Sequence, residues 1–208
     1  MHPFIHVPII NPIARPIMTF INSYEGSGDP TDVSASFGSG GANGDLLVIG
    51  VTWNNGSSTD GATVDGNAAT LIAQESDGSN PDQSRAALYR VSAPAASSGT
   101  ISISYSGIAP GGAGVTIGVW RIRGLANDTP TDDALGVSPT LNVSQDGVVI
   151  GNASYDNTGT ITFAGVDEDY DTTRHAGAGR DNIDADATYT PSASGPGGSA
   201  AAVWAAWR

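Results

Sequence analysis

Asp45-Leu46-Leu47-Val48-Ile49-Gly50-Val51-Thr52-Trp53 is the stretch on which the fold turns. Side chains alternate along an extended chain, so Leu47, Ile49, Val51 and Trp53 share one side and Leu46 and Val48 the other. Apolar residues on both sides predict a central strand. Just downstream, Thr63-Val64 and Ala68 to Ala73 flank Asp65-Gly66-Asn67. Those turn residues tolerate positive φ, which predicts a tight hairpin. Just upstream, Thr31 to Phe37 places Val33, Ala35 and Phe37 on one face.

The same alternation continues outward. Ser84 to Ser92 and Thr100 to Tyr105 read as strands, the latter with Ile101, Ile103 and Tyr105 inward and Ser102 and Ser104 outward. In Val115 to Ile122, the residues Val115, Ile117 and Val119 oppose Trp120 and Ile122. After an Asp-rich segment, Asn127 to Gly136, strands are predicted near Leu141 to Val143, Val148 to Tyr155, Thr160 to Ala164 and Thr172 to Gly179. The last strand, Ser199 to Trp207, should pair inside a sheet and close the domain near the start of the chain. No window of a dozen residues keeps a helical period. Short strands separated by turns predict an all-β fold: an antiparallel β-sandwich, jelly-roll-like, its two sheets about 10 Å apart. Leu47 to Trp53, Val115 to Trp120 and Val148 to Tyr155 echo one another, each with a glycine among β-branched residues. The echo reads either as a repeated unit or as shared strand composition.

Ahead of this body stands MHPFIHVPIINPIARPIMTFI, residues 1–21, with Pro3, Pro8, Pro12 and Pro16. Each proline removes a backbone donor and fixes φ, so neither a helix nor a central strand can run through the segment. Phe4, Ile5, Val7, Ile9, Ile10, Ile13 and Ile17 make it too apolar for a solvated linker. The division expected is an extended arm over 1–21 and a single β-sandwich domain over 22–208. Stretched out, about twenty residues reach roughly 65 Å. Such an arm either docks on a neighbouring subunit through these seven apolar residues or packs along its own domain.

Composition narrows the function. The 208 residues are enough for a real core, and with no cysteine neither disulfides nor thiolate metal sites contribute. Lysine is absent, and eight arginines face 21 acidic residues, a formal charge of −13. That balance argues against nucleic acid and anionic membrane as partners, and favours solubility. The N-terminus has neither the basic nor the unbroken apolar region of a secretory leader. No stretch has the roughly eighteen consecutive apolar residues of a membrane-spanning helix.

Catalytic signals are sparse. No G-x-S-x-G elbow, P-loop or H-E-x-x-H is present, and of three histidines only His175 lies in the body. Asp167, Asp169 and Asp171 alternate in a run rich in acids, and calcium binds through six to eight oxygens, which makes them candidate calcium ligands. The EF-hand pattern is not met, and the plainer reading is two acidic surface loops around a strand. Tyr24, Tyr105, Tyr155, Tyr170 and Tyr189 would line a carbohydrate groove if exposed, whereas Trp53 and Trp120 read as core. Arg121 and Arg123 share a strand face, and Arg85 and Arg90 are placed to pair across strands with aspartates. No catalytic residue and no cofactor is expected.

Gly44 to Trp53, then Ala62 to Leu71 (ATVDGNAATL), Ala87 to Val91 (ALYRV) and Gly114 to Trp120 follow one another in an order that resembles virion β-sandwich modules of tailed bacteriophages, over roughly residues 43–123. The resemblance implies a non-enzymatic virion component: a head decoration or cement protein, a minor capsid protein, or a tail-associated one. Its implied partners are a major capsid or other virion protein and further copies of itself, a trimer being one such symmetric cluster. The alternative is a tail-associated adhesin or carbohydrate-binding module.

Overall fold

The computed structural model describes residues 15–38, 44–54, 57–78, 83–108, 110 and 114–208, and every regular element among them is a strand. The first eight are β1 (Ile17–Gly26), β2 (Thr31–Ser36), β3 (Leu46–Asn54), β4 (Thr59–Val64), β5 (Asn67–Ser76), β6 (Ser84–Ser92), β7 (Ser98–Tyr105) and β8 (Val115–Arg123). Then come β9 (Asp132–Leu135), β10 (Leu141–Val143), β11 (Gly147–Tyr155), β12 (Thr162–Ala164), β13 (Asp167–Asp171), β14 (His175–Ile183), β15 (Asp186–Tyr189), β16 (Ser192–Ser194) and β17 (Ala200–Trp207). All pairings are antiparallel.

The first eight strands form one sheet in the order β1-β8-β3-β6-β5-β4-β7-β2. It folds over on itself: Val33, Val64, Ile101 and Ile103 meet Leu47, Ile49, Tyr89 and Ile117 in a single core. The turn of β4 into β5 is the hairpin expected at Asp65-Gly66, where φ is +49° and +76°. The remaining strands form a five-stranded sheet, β13-β14-β11-β17-β9, and two small ones, β10-β15 and β12-β16. These small sheets cover the outer side of the five-stranded one, over a core of Leu141, Val149, Tyr155, Ile161 and Trp204. A third core lies where the two sheets meet back to back, built from Leu46, Val48, Leu88, Trp120 and Ile122 against Val148, Ile150, Tyr170, Val203 and Trp207. Four β layers thus stack where the sequence predicts two. The arrangement explains why β3, β11 and most of β8 and β17 are buried on both faces.

The second half repeats the strand order of the first. Reading β1-β8-β3-β6-β5 against β9-β17-β11-β14-β13 matches each strand in chain sequence, and β12-β16 with β10-β15 stand for β4-β7-β2. The counterpart of β7 is split into β15 and β16, and Pro191, which has no donor for a ladder, sits at the break. Both fifth strands carry a bulge, between Leu71 and Ala73 and between Glu168 and Tyr170. The residue after each bulge, Ala73 or Tyr170, enters the seam core.

The echo in the sequence does not mark this repeat. Ile49 points into its own unit, whereas Ile150, its partner in the Val-Ile-Gly match, points into the seam. A one-residue slip exchanges the faces of a strand, and matching by face pairs Trp53 with Tyr155 instead. The repeat is one of topology.

Glycine gives the seam its depth. Gly50 and Gly118 lie opposite each other on β3 and β8. A Cβ on Gly50 would come within 2.8 Å of the Trp120 ring, and one on Gly118 within 2.6 Å of both Trp120 and Tyr170. Gly177 closes on the same indole from the other sheet at 2.7 Å. The missing side chains make a slot that the two aromatic rings fill.

Three expectations change. Ile17 to Ile21, assigned to the arm, are the first half of β1, which pairs with β8 from Ile17↔Arg123 onward. An edge strand that begins just after Pro16 loses no ladder bond to the proline. Phe4, Ile5, Val7, Ile9, Ile10 and Ile13 lie outside the described residues. The Asp-rich stretches contain β9 and β13, the two edges of the five-stranded sheet, where loops are predicted. Finally, β17 runs between β11 and β9, inside its own half and not beside the first strand.

Candidate functional site at the seam

His175, the one histidine of the body, opens β14 and is buried where the two units meet. Two strands of the first unit reach it: Asn54 at the end of β3 and Thr116 at the start of β8, both fully buried. Asn54 Nδ2 donates to the Tyr155 carbonyl at 3.1 Å and to Ser84 Oγ at 3.2 Å. Its Oδ1 therefore accepts from His175 Nε2, 2.6 Å away. That fixes the tautomer, leaving Nδ1 to accept from the Thr116 hydroxyl at 2.9 Å. Ser84 Oγ donates in turn to the Ser199 carbonyl at 3.3 Å, and Ser154 Oγ to the Trp53 carbonyl at 3.4 Å. Every link in this chain crosses from one unit to the other or braces one that does.

Burial, and secondly the nearby Arg174, lower the His175 pKa to about 4. The ring is neutral, and both nitrogens are engaged. A general base needs a free nitrogen and a pKa near the working pH, and His175 has neither. The joint floors an open groove of about 750 Å³, lined by Glu25, Thr116, Thr172, Arg174 and His175. Its charged groups, Glu25 and Arg174, flank threonine hydroxyls, an arrangement without an activated nucleophile.

Asp169 forms a second bridge. It is the bulged residue of β13, turned so that its Oδ2 accepts from Trp120 Nε1 at 2.7 Å. Burial raises its pKa to about 6, against the opposing effect of the indole hydrogen bond, and Asp167 adds to the rise. Phe20 of β1 stacks on Tyr170, ring centroids 5.7 Å apart, and Tyr170 donates to Asn152 Oδ1 at 2.6 Å. Glu75 is a third bridge: its Oε2 accepts from the Gly136 and Ala202 amides at 3.0 and 2.7 Å.

The three calcium candidates are not brought together. Asp169 faces Trp120, Asp171 accepts from the Ile161 and Thr173 amides at 3.0 and 2.8 Å, and Asp167 is exposed. The bulge breaks the alternation on which the reading depended. Among the described residues no group of three or more acids or histidines is placed to hold a metal. The carbohydrate groove is not assembled either, because Tyr105, Tyr155 and Tyr170 are buried. Trp53 and Trp120 are core, as expected. Arg121 is buried against Asp45 at 2.9 Å, with Arg123 on the same carboxylate at 3.3 Å. Arg90 pairs with Asp128, at 3.0 Å, from the segment before β9 instead of across a strand pair, and Arg85 bonds Gln83 and Ser58.

Sequence reasoning singled out His175 but missed Asn54, Thr116, Ser84 and Glu75. Their only signal is a polar residue at the end of, or within, an otherwise apolar strand, a pattern that exposed positions share.

β1 ties the N-terminal side of the chain to the seam. Arg15 Nη1 donates to Asn182 Oδ1 at 2.9 Å, and its Nε lies 3.3 Å from Asp146. The Met18 amide donates to Asp181 Oδ2 at 3.1 Å. Compared with known families, curated proteins and solved structures, the chain has no match.

Proposed function

We propose that this protein is a non-catalytic structural component of a tailed-phage particle, most simply a capsid decoration or cement protein held by its N-terminal arm. The observation that carries the reading is the route of the arm into the body. The chain leaves the apolar segment through Arg15 and enters β1, which pairs with β8 of the first unit and is fastened to the second by Arg15–Asp146, Met18–Asp181 and the Phe20–Tyr170 stack. A load on the arm therefore reaches the interlocked core directly. The order β1-β8-β3-β6 with β5-β4-β7-β2 is consistent with a jelly roll, an architecture common in viral capsid and lectin domains. Of the polar groups that sequence marks for chemistry, His175 and Asp169 are hydrogen-bonded across the two units. A carbohydrate-binding role gains nothing from the structure, since three of the five tyrosines it needs are in the core.

In this reading the arm's Phe4, Ile5, Val7, Ile9, Ile10 and Ile13 bury against a major capsid or other virion protein. Apolar burial contributes roughly 25 cal/mol per Å² before ordering costs, and many copies on a shell add avidity. Removing Met1 to Ala14 spares β1 and should leave the thermal transition unchanged while abolishing sedimentation with particles. Particles saturated by the shortened chain with unaltered affinity would overturn the proposal.

A further inference from the structure

We infer that the groove over the His175 joint binds a short peptide with both ends free, its ammonium toward Glu25 and its carboxylate toward Arg174. The groove opens where the two units meet at the start of β14, and its volume of about 750 Å³ falls within the roughly 300–1,000 Å³ of ligand sites. One wall comes from each unit. Glu25 is the cross-strand neighbour of Thr116, so its side chain stands on the face of β1 that looks toward His175. Arg174 comes from the turn between β13 and β14. After burial itself, its charge is the cause that lowers the His175 pKa, so the guanidinium lies near the floor. Among the described residues neither the Glu25 carboxylate nor the Arg174 guanidinium has an ion pair or a hydrogen bond. Opposite charges that line one groove without meeting leave both free for a ligand that carries the complementary pair. A lone anion would be repelled by Glu25 and a lone cation by Arg174, and a neutral polyol would use neither charge.

The walls are set before any ligand arrives. Asn54 and Thr116 hold the His175 ring at 2.6 and 2.9 Å. Thr172 Oγ1 donates to the His175 carbonyl at 3.1 Å and the Thr173 amide to Asp171 Oδ1 at 2.8 Å, which closes the turn that presents Arg174. Thr173 in that turn has a φ of +68°. A β-branched residue enters the left-handed region only against steric strain, and strain of this kind gathers at functional sites. Rigid walls lower the ordering cost of binding, so a small ligand with few contacts suffices.

Glu25 and Ile17 stand near opposite ends of β1, roughly 25 Å apart along the strand. The groove therefore opens at the end of the body remote from Ile17. The inference is independent of the particle role: it is measured on the free protein, and its failure leaves sedimentation with particles untouched. Triglycine titrated into the full chain at neutral pH should shift the amide resonances of residues 25–26, 114–116 and 172–175 with a Kd on the order of 1 mM. N-acetyl-triglycine, which lacks the ammonium, and triglycine amide, which lacks the carboxylate, should each bind about fivefold more weakly. Glu25→Gln should no longer distinguish triglycine from its acetylated form, and Arg174→Gln should no longer distinguish it from the amide. Glu25 is exposed and Arg174 half-buried, so both variants should melt with the wild type. Absence of shifts at the groove, equal binding of the three peptides, or variants that discriminate as the wild type does would each overturn it.

Discussion

The two titratable groups in the seam pull stability in opposite directions with pH. His175 is held at about 4 against an ordinary value of 6.5, so between those values the unfolded chain binds a proton that the folded one refuses. Stability from this group is full above about 6.5 and falls as the pH drops toward 4. Asp169 is raised from 3.8 to about 6, so the folded chain keeps a proton there that the unfolded one has lost. Its contribution is full below 3.8 and disappears as the pH rises through 6. Asp169→Asn keeps an oxygen for Trp120 Nε1 and removes the buried charge. The variant should melt higher than the wild type at neutral pH, lose that advantage near pH 4, and show the steeper acid decline that His175 alone dictates. Parallel melting curves from pH 4 to 7 would refute this. Asn54 is the hub of the joint, with bonds to Ser84, Tyr155 and His175. Asn54→Ala orphans a buried carbonyl and a ring nitrogen and should cost about 3 kcal/mol in denaturant unfolding.

Among the strands, the acidic ones have a structural purpose that their composition disguises. β9 and β13 are the open edges of the five-stranded sheet, and they read DDAL and DEDYD. Exposed edges invite pairing with other chains, and a row of like charges prevents it. Asp167→Val with Glu168→Val should leave the melting temperature within a degree or two yet produce concentration-dependent association in sedimentation velocity. A double variant that stays monomeric would assign the acids some other task. β17 lies inside the same sheet, between β11 and β9. Deleting Val203 to Arg208 removes seam residues Val203, Ala205 and Trp207 together with ladder bonds on both sides, and should abolish cooperative folding.

For the whole molecule, the seam makes two units into one folding body. Each presents a sheet face that is apolar only because the other covers it, with Trp120 from one side and Trp207 from the other. Calorimetry of the intact chain should show a single transition. Residues 132–208 expressed alone should be insoluble or molten, and recovered only when mixed with residues 1–131. Two separate transitions, or a well-folded second half, would mean that the seam is a mere contact between independent units.

Much of this was legible along the chain. Alternation is local, so the strands from Thr31 to Ile122, their inward faces and the Asp65-Gly66 turn follow from nearest neighbours alone. The apolar pattern of Leu46 to Trp53 likewise marks a central strand, with apolar residues on both sides. What covers the second side is not local. Nothing in residues 45–53 shows that Val148, Ile150 and Val203 will lie against Leu46 and Val48, and the sequence echo that hints at a repeat is out of phase by one residue. Asp167 to Asp171 reads as loop because charge outweighs β-propensity in any short window, and only its place at a sheet edge makes charge the suitable filling. The partners of His175 come from positions 54 and 116, distant in the chain and adjacent only because β3 and β8 pair. Sequence determines the strands because their periodicity is set by the backbone itself. Tertiary structure decides the stacking, the joint and the edges, since each depends on which surfaces remain to be buried once the strands exist.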